Sequence, residues 1–127
     1  MKIIIETIPH NEHRYPTVGD YWTDQDGVRH IRVSETKDPR HALLVALHEL
    51  IESELCSRRG ISEHVIDTFD MDYEDKRGAD DHSEPGDLLD APYHIEHVFA
   101  GCIERLMAQQ LDVNWQEYSD ALSELDK

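Results

Sequence analysis

The segment from Ala42 to Cys56 is the most hydrophobic stretch of the chain, and it contains the sequence His48-Glu49-Leu50-Ile51-Glu52. Its aliphatic residues recur at intervals of three and four, which predicts one long amphipathic helix. Residues four apart share a helix face, so we expect His48 and Glu52 to lie side by side at the edge of the apolar face. A partly buried carboxylate must be paired or bound to a metal, and this pair has the spacing for one divalent ion, with Glu49 beside it.

The same spacing predicts which side of this helix is buried. At about 100° per residue, five aliphatic side chains form one continuous face. They are Leu43, Leu44, Leu47, Ile51 and Leu55. Asp38 and Pro39 supply an N-cap and a first-turn proline, and Gly60 suits the position after the last turn. We therefore expect a helix over residues 39–59.

A second long amphipathic helix is predicted over residues 91–111. Its apolar side consists of Ile95, Phe99, Cys102, Ile103, Leu106 and Met107. His97 and Glu104 lie seven residues apart, about two turns, so they share one flank, and His94 lies close to the same line.

Two helices that each have a histidine and a carboxylate at the border of an apolar face predict a metal site between them. The predicted ligands are His48, Glu52, His97 and Glu104, with His94 as an alternative to His97. The simpler interpretation is that His48 is a hydrogen-bonded core histidine and that Glu52 pairs with an arginine.

The rest of the chain predicts an α+β fold. Strands are expected at Lys2–Ile8, Tyr21–Thr23 and Val28–Ser34. The last two flank Asp26-Gly27, a strong hairpin signal. Shorter helices are predicted at Ser62–Phe69 and over residues 115–125, where Asn114 and Glu117 resemble a capping box. A chain of 127 residues is expected to form one domain, with a small N-terminal antiparallel sheet packed on the two long helices.

The formal net charge of −16 limits the partners. Such a field repels nucleic acids and anionic membranes and attracts cations or basic proteins. Residues 67–90 hold ten acidic residues but only Lys76 and Arg77 as bases, which predicts a solvated, mobile acidic loop. Without an apolar run of about 20 residues or a signal peptide, a cytoplasmic protein is expected.

The order of strand, hairpin and motif helix resembles the core of zincin metallopeptidases. In that family the first motif histidine and the residue four positions later bind zinc, the intervening glutamate is the general base, and a later helix supplies the third ligand. The resemblance implies that His48, Glu52 and His97 bind zinc and that Glu49 is the base. Glu52 stands where the family has histidine. The chain is also similar to small uncharacterised phage-encoded proteins.

The leading hypothesis is therefore a metal-dependent hydrolase that cleaves an amide or related bond in a small-molecule or peptide substrate. Zinc is the expected metal, with manganese or iron as alternatives if Glu104 joins the ligands. One alternative is an acidic interaction or inhibitor protein that occupies the nucleic-acid groove of a basic partner. Another is a magnesium-dependent nucleotide pyrophosphohydrolase, for which Glu49 and Glu52 supply the first acidic pair but no second pair follows.

Overall fold

A small mixed sheet packs against two long helices. A computed structural model of the chain describes residues 1–126. The strands are β1 (Ile3–Ile8), β2 (Gly19–Thr23) and β3 (Arg29–Ser34). Within the described residues the α-helices are α1 (Pro39–Arg58), α2 (Glu63–Asp75), α3 (His94–Gln110) and α4 (Trp115–Glu124). Short 3₁₀ helices lie at His10–Glu12 and Pro85–Asp87. The α+β class and the two long helices are confirmed.

The sheet has the order β1-β3-β2, with β3 in the centre. β2 and β3 form the predicted antiparallel hairpin, and Gly27 at its turn has a φ of 80° that glycine adopts without strain. β1 pairs with β3 in parallel, from Ile3 opposite Arg29 to Ile8 opposite Ser34. The predicted antiparallel pairing therefore holds for β2 and β3, while β1 joins the sheet in parallel and makes it mixed.

Local signals define α1 as expected. The side chain of Asp38 accepts a hydrogen bond from the backbone N–H of Arg40, and Gly60 has a φ of 71° just beyond the helix. α1 packs on β2 and β3 on one side and on α3 on another. Tyr21 and Ile31 of the sheet and Leu44 of α1 belong to the buried core.

The predicted apolar faces of α1 and α3 are only partly buried, and this part of the prediction is wrong. On α1, Leu44 is buried but Leu43 is half exposed. The buried residues of α3 are Glu96, His97, Ala100, Glu104 and Ala108. Polar side chains can face inwards here because each has a partner on another part of the chain: Glu96 pairs with Arg59, His97 with Glu52 and Glu104 with His48. The two alanines let the helices approach closely.

The acidic segment is more ordered than predicted. α2 extends to Asp75, beyond the expected end at Phe69, so the first part of the predicted loop over residues 67–90 is helical. The side chain of Ser62 caps α2, and that of Asn114 caps α4, as the sequence indicated. Among the helices of residues 1–126, none is long and apolar enough to cross a membrane.

Candidate metal centre

Three potential ligand atoms converge between α1 and α3. Nε2 of His48 lies 3.0 Å from Oε2 of Glu52 and 3.1 Å from Nδ1 of His97. Nδ1 of His97 lies 2.9 Å from the same Glu52 oxygen. All three side chains are buried, and their atoms are close enough to hold one metal ion. Ligand atoms of a tetrahedral zinc with bonds of about 2 Å are about 3.3 Å apart, so the triangle needs little expansion to accept zinc.

The other nitrogen of each histidine ring contacts a carboxylate. Nδ1 of His48 lies 2.7 Å from Oε1 of Glu104. Nε2 of His97 lies 2.9 Å from Oε2 of Glu84 and 3.1 Å from Oδ1 of Asp87. Metal-binding histidines usually donate their second N–H to a carboxylate or carbonyl, which fixes the tautomer and the ring orientation. Both histidines have the environment that a metal ligand requires.

Two tyrosines hold the carboxylates in place. The hydroxyl of Tyr118 on α4 donates to Oε2 of Glu104 over 2.6 Å. The hydroxyl of Tyr21 on β2 donates to Oε1 of Glu52 over 3.2 Å. The sheet and three helices therefore contribute to the site, whose core is set by the helix periodicity: His48 and Glu52 are one turn apart on α1, and His97 and Glu104 are two turns apart on α3.

The site's ionisable groups stabilise one another's charged forms. Burial lowers the pKa of His97, but hydrogen bonds with Glu52 and Glu84 raise it to about 10. Burial opposes ionisation of Glu52 as well, yet its bonds with His48 and His97 lower its pKa to about 2. The pKa of His48 is likewise raised well above its ordinary value, by Glu104 and Glu52 against burial. A metal must displace protons from these nitrogens, so binding should strengthen as pH rises.

Glu49 differs from its neighbours because its carboxylate forms no hydrogen bond or ion pair with any of residues 1–126. It is partly buried on the wall of a cavity. Burial and the charge of Glu52 raise its pKa well above the usual range, while His48 opposes the shift. A Cβ atom at position 19 would lie 2.7 Å from Oε1 of Glu49, so Gly19 leaves the space that this side chain occupies.

The cavity beside these residues measures about 680 Å³ and reaches from β2 and α1 to α2 and the segment before α3. His48, Glu52 and His97 lie on its wall. Among residues 1–126, Arg77 is the only lysine or arginine in its lining. The acidic residues of the lining are Asp20, Glu49, Glu52, Asp67, Asp70, Glu74, Asp80, Asp81, Glu84, Glu104 and Asp126. The cavity is therefore large enough for a small ligand and strongly acidic.

Asp70 is a candidate functional residue that the sequence analysis missed. It is buried in the cavity wall, and its carboxylate accepts hydrogen bonds from the hydroxyls of Tyr15, over 3.3 Å, and Tyr93. Burial raises the pKa of Asp70 to about 7, although the bond from Tyr93 opposes the shift. Asp70 lies in the segment predicted as a loop. Ile66 lies four residues earlier, and this spacing places Ile66 and Asp70 on the same face of a helix. The apolar Ile66 was therefore the signal in the sequence that Asp70 also faces inwards.

The segment of residues 84–87 is a second part of the site that the sequence did not predict, and it has no helical or strand periodicity. It brings Glu84 and Asp87 to Nε2 of His97, and the three ligand atoms are also close enough to share an ion. A Cβ atom at position 86 would lie 2.6 Å from Nδ1 of His97. Gly86 therefore permits the close contact between this segment and the ring.

Only some of the predicted site residues meet at one point. The structure brings His48, Glu52 and His97 together as expected. Glu104 contacts the nitrogen of His48 that faces away from Glu52 and His97, and its role as a fourth ligand stays a prediction. His94 lies apart from this triangle, with its Nδ1 2.9 Å from the carbonyl oxygen of Gly86.

Comparison of the chain with protein-family models, with functionally described proteins and with solved structures found no match. The assignment of a function therefore depends on the geometry of the site.

Proposed function

We propose that this protein is a zinc-dependent hydrolase whose ligands are Nε2 of His48, Oε2 of Glu52 and Nδ1 of His97. The observation that carries the proposal is that each histidine has one ring nitrogen at a shared point and the other on a carboxylate. This is the arrangement by which proteins orient histidines around zinc.

A purely structural ion cluster explains the geometry less well. If both histidines are protonated, as their raised pKa values favour, the N–H groups of His48 and His97 face each other across 3.1 Å. Two donors at that distance repel, and only one carboxylate oxygen of Glu52 lies between them. A cation at this point replaces the two protons and turns a repulsive contact into shared coordination.

Zinc suits the set of ligands better than manganese or iron. Two imidazole nitrogens and one carboxylate oxygen with an open fourth position are typical of catalytic zinc. Manganese and iron usually take more ligands, and the additional candidate, Glu104, is directed to the far nitrogen of His48.

Bound zinc supplies Lewis acidity towards a carbonyl oxygen and lowers the pKa of a water molecule. Glu49 suits the role of general base, because it lies in the cavity and its carboxylate has no hydrogen-bond partner among residues 1–126. In its ionised form this carboxylate could accept a proton from the water molecule and return it to a leaving group. The resemblance of His48-Glu49 and Glu52 to the zincin motif supports the same roles.

The cavity favours neutral or cationic substrates. Of the described residues, eleven acidic side chains and one arginine line it, so its field repels phosphates and carboxylates and attracts ammonium groups. This supports hydrolysis of an amide bond in an amine-bearing or peptide substrate rather than of a nucleoside triphosphate.

The test replaces the base without replacing a ligand. Zinc-loaded wild type, Glu49→Gln and the control Glu54→Gln, on the same helix, are assayed with fluorogenic peptides that carry a free amine. We expect Glu49→Gln to retain zinc and to lose at least about 100-fold in kcat, the usual contribution of a general base, while Glu54→Gln stays active.

Two results would contradict the proposal. Equal loss of zinc from Glu49→Gln and His48→Ala would make Glu49 a ligand and favour the acidic-pair arrangement of a nucleotide pyrophosphohydrolase. An inactive zinc-loaded wild type that instead binds a basic protein, with an affinity that falls steeply with salt, would favour the acidic interaction protein.

A further inference from the structure

α3 has an apolar row that the fold leaves uncovered. Ile95 is 70% exposed, Phe99 50% and Leu106 59%, and Cys102 between them is also exposed. Their spacing of four, three and four residues places them along one face over nearly the whole helix. Exposed aliphatic and aromatic side chains in a continuous row are typical of a helix that packs against another helix.

A second group of exposed apolar side chains lies on the neighbouring helix. α1 and α3 pack side by side and antiparallel, as the contacts of His48 with Glu104 and of Glu52 with His97 require. Helical geometry places Leu43, Leu47 and Ile51 on one ridge of α1. Leu43 is 49% exposed and the other two are partly exposed. Two adjacent helices thus present apolar side chains to solvent.

The charge of this face indicates its occupant. The two acidic residues of α3, Glu96 and Glu104, are both buried, so the exposed row contains no acid although the chain has 28 acidic residues. On α1 the nearest acid to this face, Glu54, is already paired with Arg29 and Arg58. A basic partner therefore gains little here and would bind the acidic surfaces instead. A second copy that meets this face with its own identical face keeps the acidic surfaces of both copies apart.

The area and shape of the face also favour contact with a second copy of the chain. Its exposed apolar side chains present on the order of 500 Å², near the upper limit for a monomer, and with a polar rim this approaches the roughly 800 Å² per partner of a stable interface. Two antiparallel helices that meet a symmetry-related pair form a four-helix bundle, a common dimer architecture.

We propose that the protein forms a homodimer through this face, defined by Ile95, Phe99, Cys102 and Leu106 of α3 and Leu43, Leu47 and Ile51 of α1. The contact is apolar and the copies are strongly acidic, so added salt screens their mutual repulsion and strengthens the dimer. Binding of a basic protein would weaken under the same change.

Sedimentation equilibrium of the full chain tests this proposal. We expect wild type to sediment at twice its mass of 14.8 kDa, Phe99→Asp to show at least about 100-fold weaker association, the size of effect of a buried aromatic anchor, and Leu89→Asp to behave as wild type. Leu89 is 89% exposed and lies outside the face, so it controls for the added charge. A monomeric wild type at all salt concentrations would overturn the proposal.

A second measurement locates the interface without a substitution. Cys102 is exposed in one copy and Cys56 is buried. If the dimer uses the proposed face, labelling of Cys102 by a maleimide should slow at least about tenfold as protein concentration rises through the dimer transition. Rapid labelling of Cys102 in a sample that sedimentation shows to be dimeric would place the interface elsewhere.

Discussion

Each histidine of the site uses both of its ring nitrogens. His48 lies between the shared point and Glu104, and His97 lies between it and the pair Glu84 and Asp87. Such contacts on the far side of a ring fix its tautomer and direction, so zinc affinity should depend on carboxylates that do not touch the ion.

Replacing Glu104 by Gln distinguishes an orienting residue from a ligand. We expect Glu104→Gln to bind one zinc per chain with an affinity lowered about 10- to 100-fold, because His48 keeps its place but loses a charged acceptor. Competition with a chromophoric chelator measures this. A complete loss of zinc would instead make Glu104 a fourth ligand.

Asp70 should make the stability depend on pH. Its pKa is about 7 in the folded protein against an ordinary value of 3.8. Between about pH 4 and 7 the folded protein therefore binds a proton on Asp70 that the unfolded chain does not bind. The stabilisation from this proton is lost as pH rises through that interval. Asp70→Asn should therefore gain stability relative to wild type over that interval, by at most about 4 kcal/mol. Urea unfolding at pH 4 and pH 8 measures the difference, and an identical difference at both pH values would contradict the assignment.

The packing of α3 on its neighbours holds the site together. α1 supplies His48 and Glu52 on one side, and the segment of residues 84–87 closes over His97 on the other. Gly86 allows this closure, because any side chain there would overlap the His97 ring.

A methyl group at position 86 should therefore disturb the site. We expect Gly86→Ala to weaken zinc binding at least about tenfold, since His97 or its carboxylates must move, with little change in helix content. Gly78→Ala is the matched control, because a Cβ atom there meets nothing within 4 Å. Equal zinc affinities of the two variants, measured by the same chelator competition, would show that the contact with Gly86 is unimportant.

The helices and the hairpin could be predicted from local sequence signals, and the convergence of His48, Glu52 and His97 followed from packing two such helices side by side. Caps, turns and helix periodicity depend on residues close in the chain. Which side of each helix faces the core could not be predicted in this way. The aliphatic pattern indicates an apolar face, but it does not indicate whether the core covers that face. Glu84 and Asp87 reach His97 through a segment without periodicity, and only the tertiary structure places them there.

At the scale of the whole molecule, α1 and α3 carry both the candidate metal site and an exposed apolar surface. The histidines and their carboxylate partners on α1 and α3 face inwards, while part of each helix's apolar pattern, including Leu43 of α1 and Phe99 of α3, is exposed to solvent. The residues of the proposed dimer face belong to neither the ligands nor their carboxylate partners. Metal binding and self-association should therefore respond to different substitutions.

If His48, Glu52 and His97 bind zinc, the zinc content of protein purified without an affinity tag will show it most directly. Measured by mass spectrometry after dialysis, wild type should contain one zinc per chain, His48→Ala and His97→Ala should contain almost none, and His94→Ala, whose Nδ1 contacts Gly86 instead, should match wild type. Wild type without zinc after loading and dialysis, or an equal loss from His94→Ala and His97→Ala, would contradict the account.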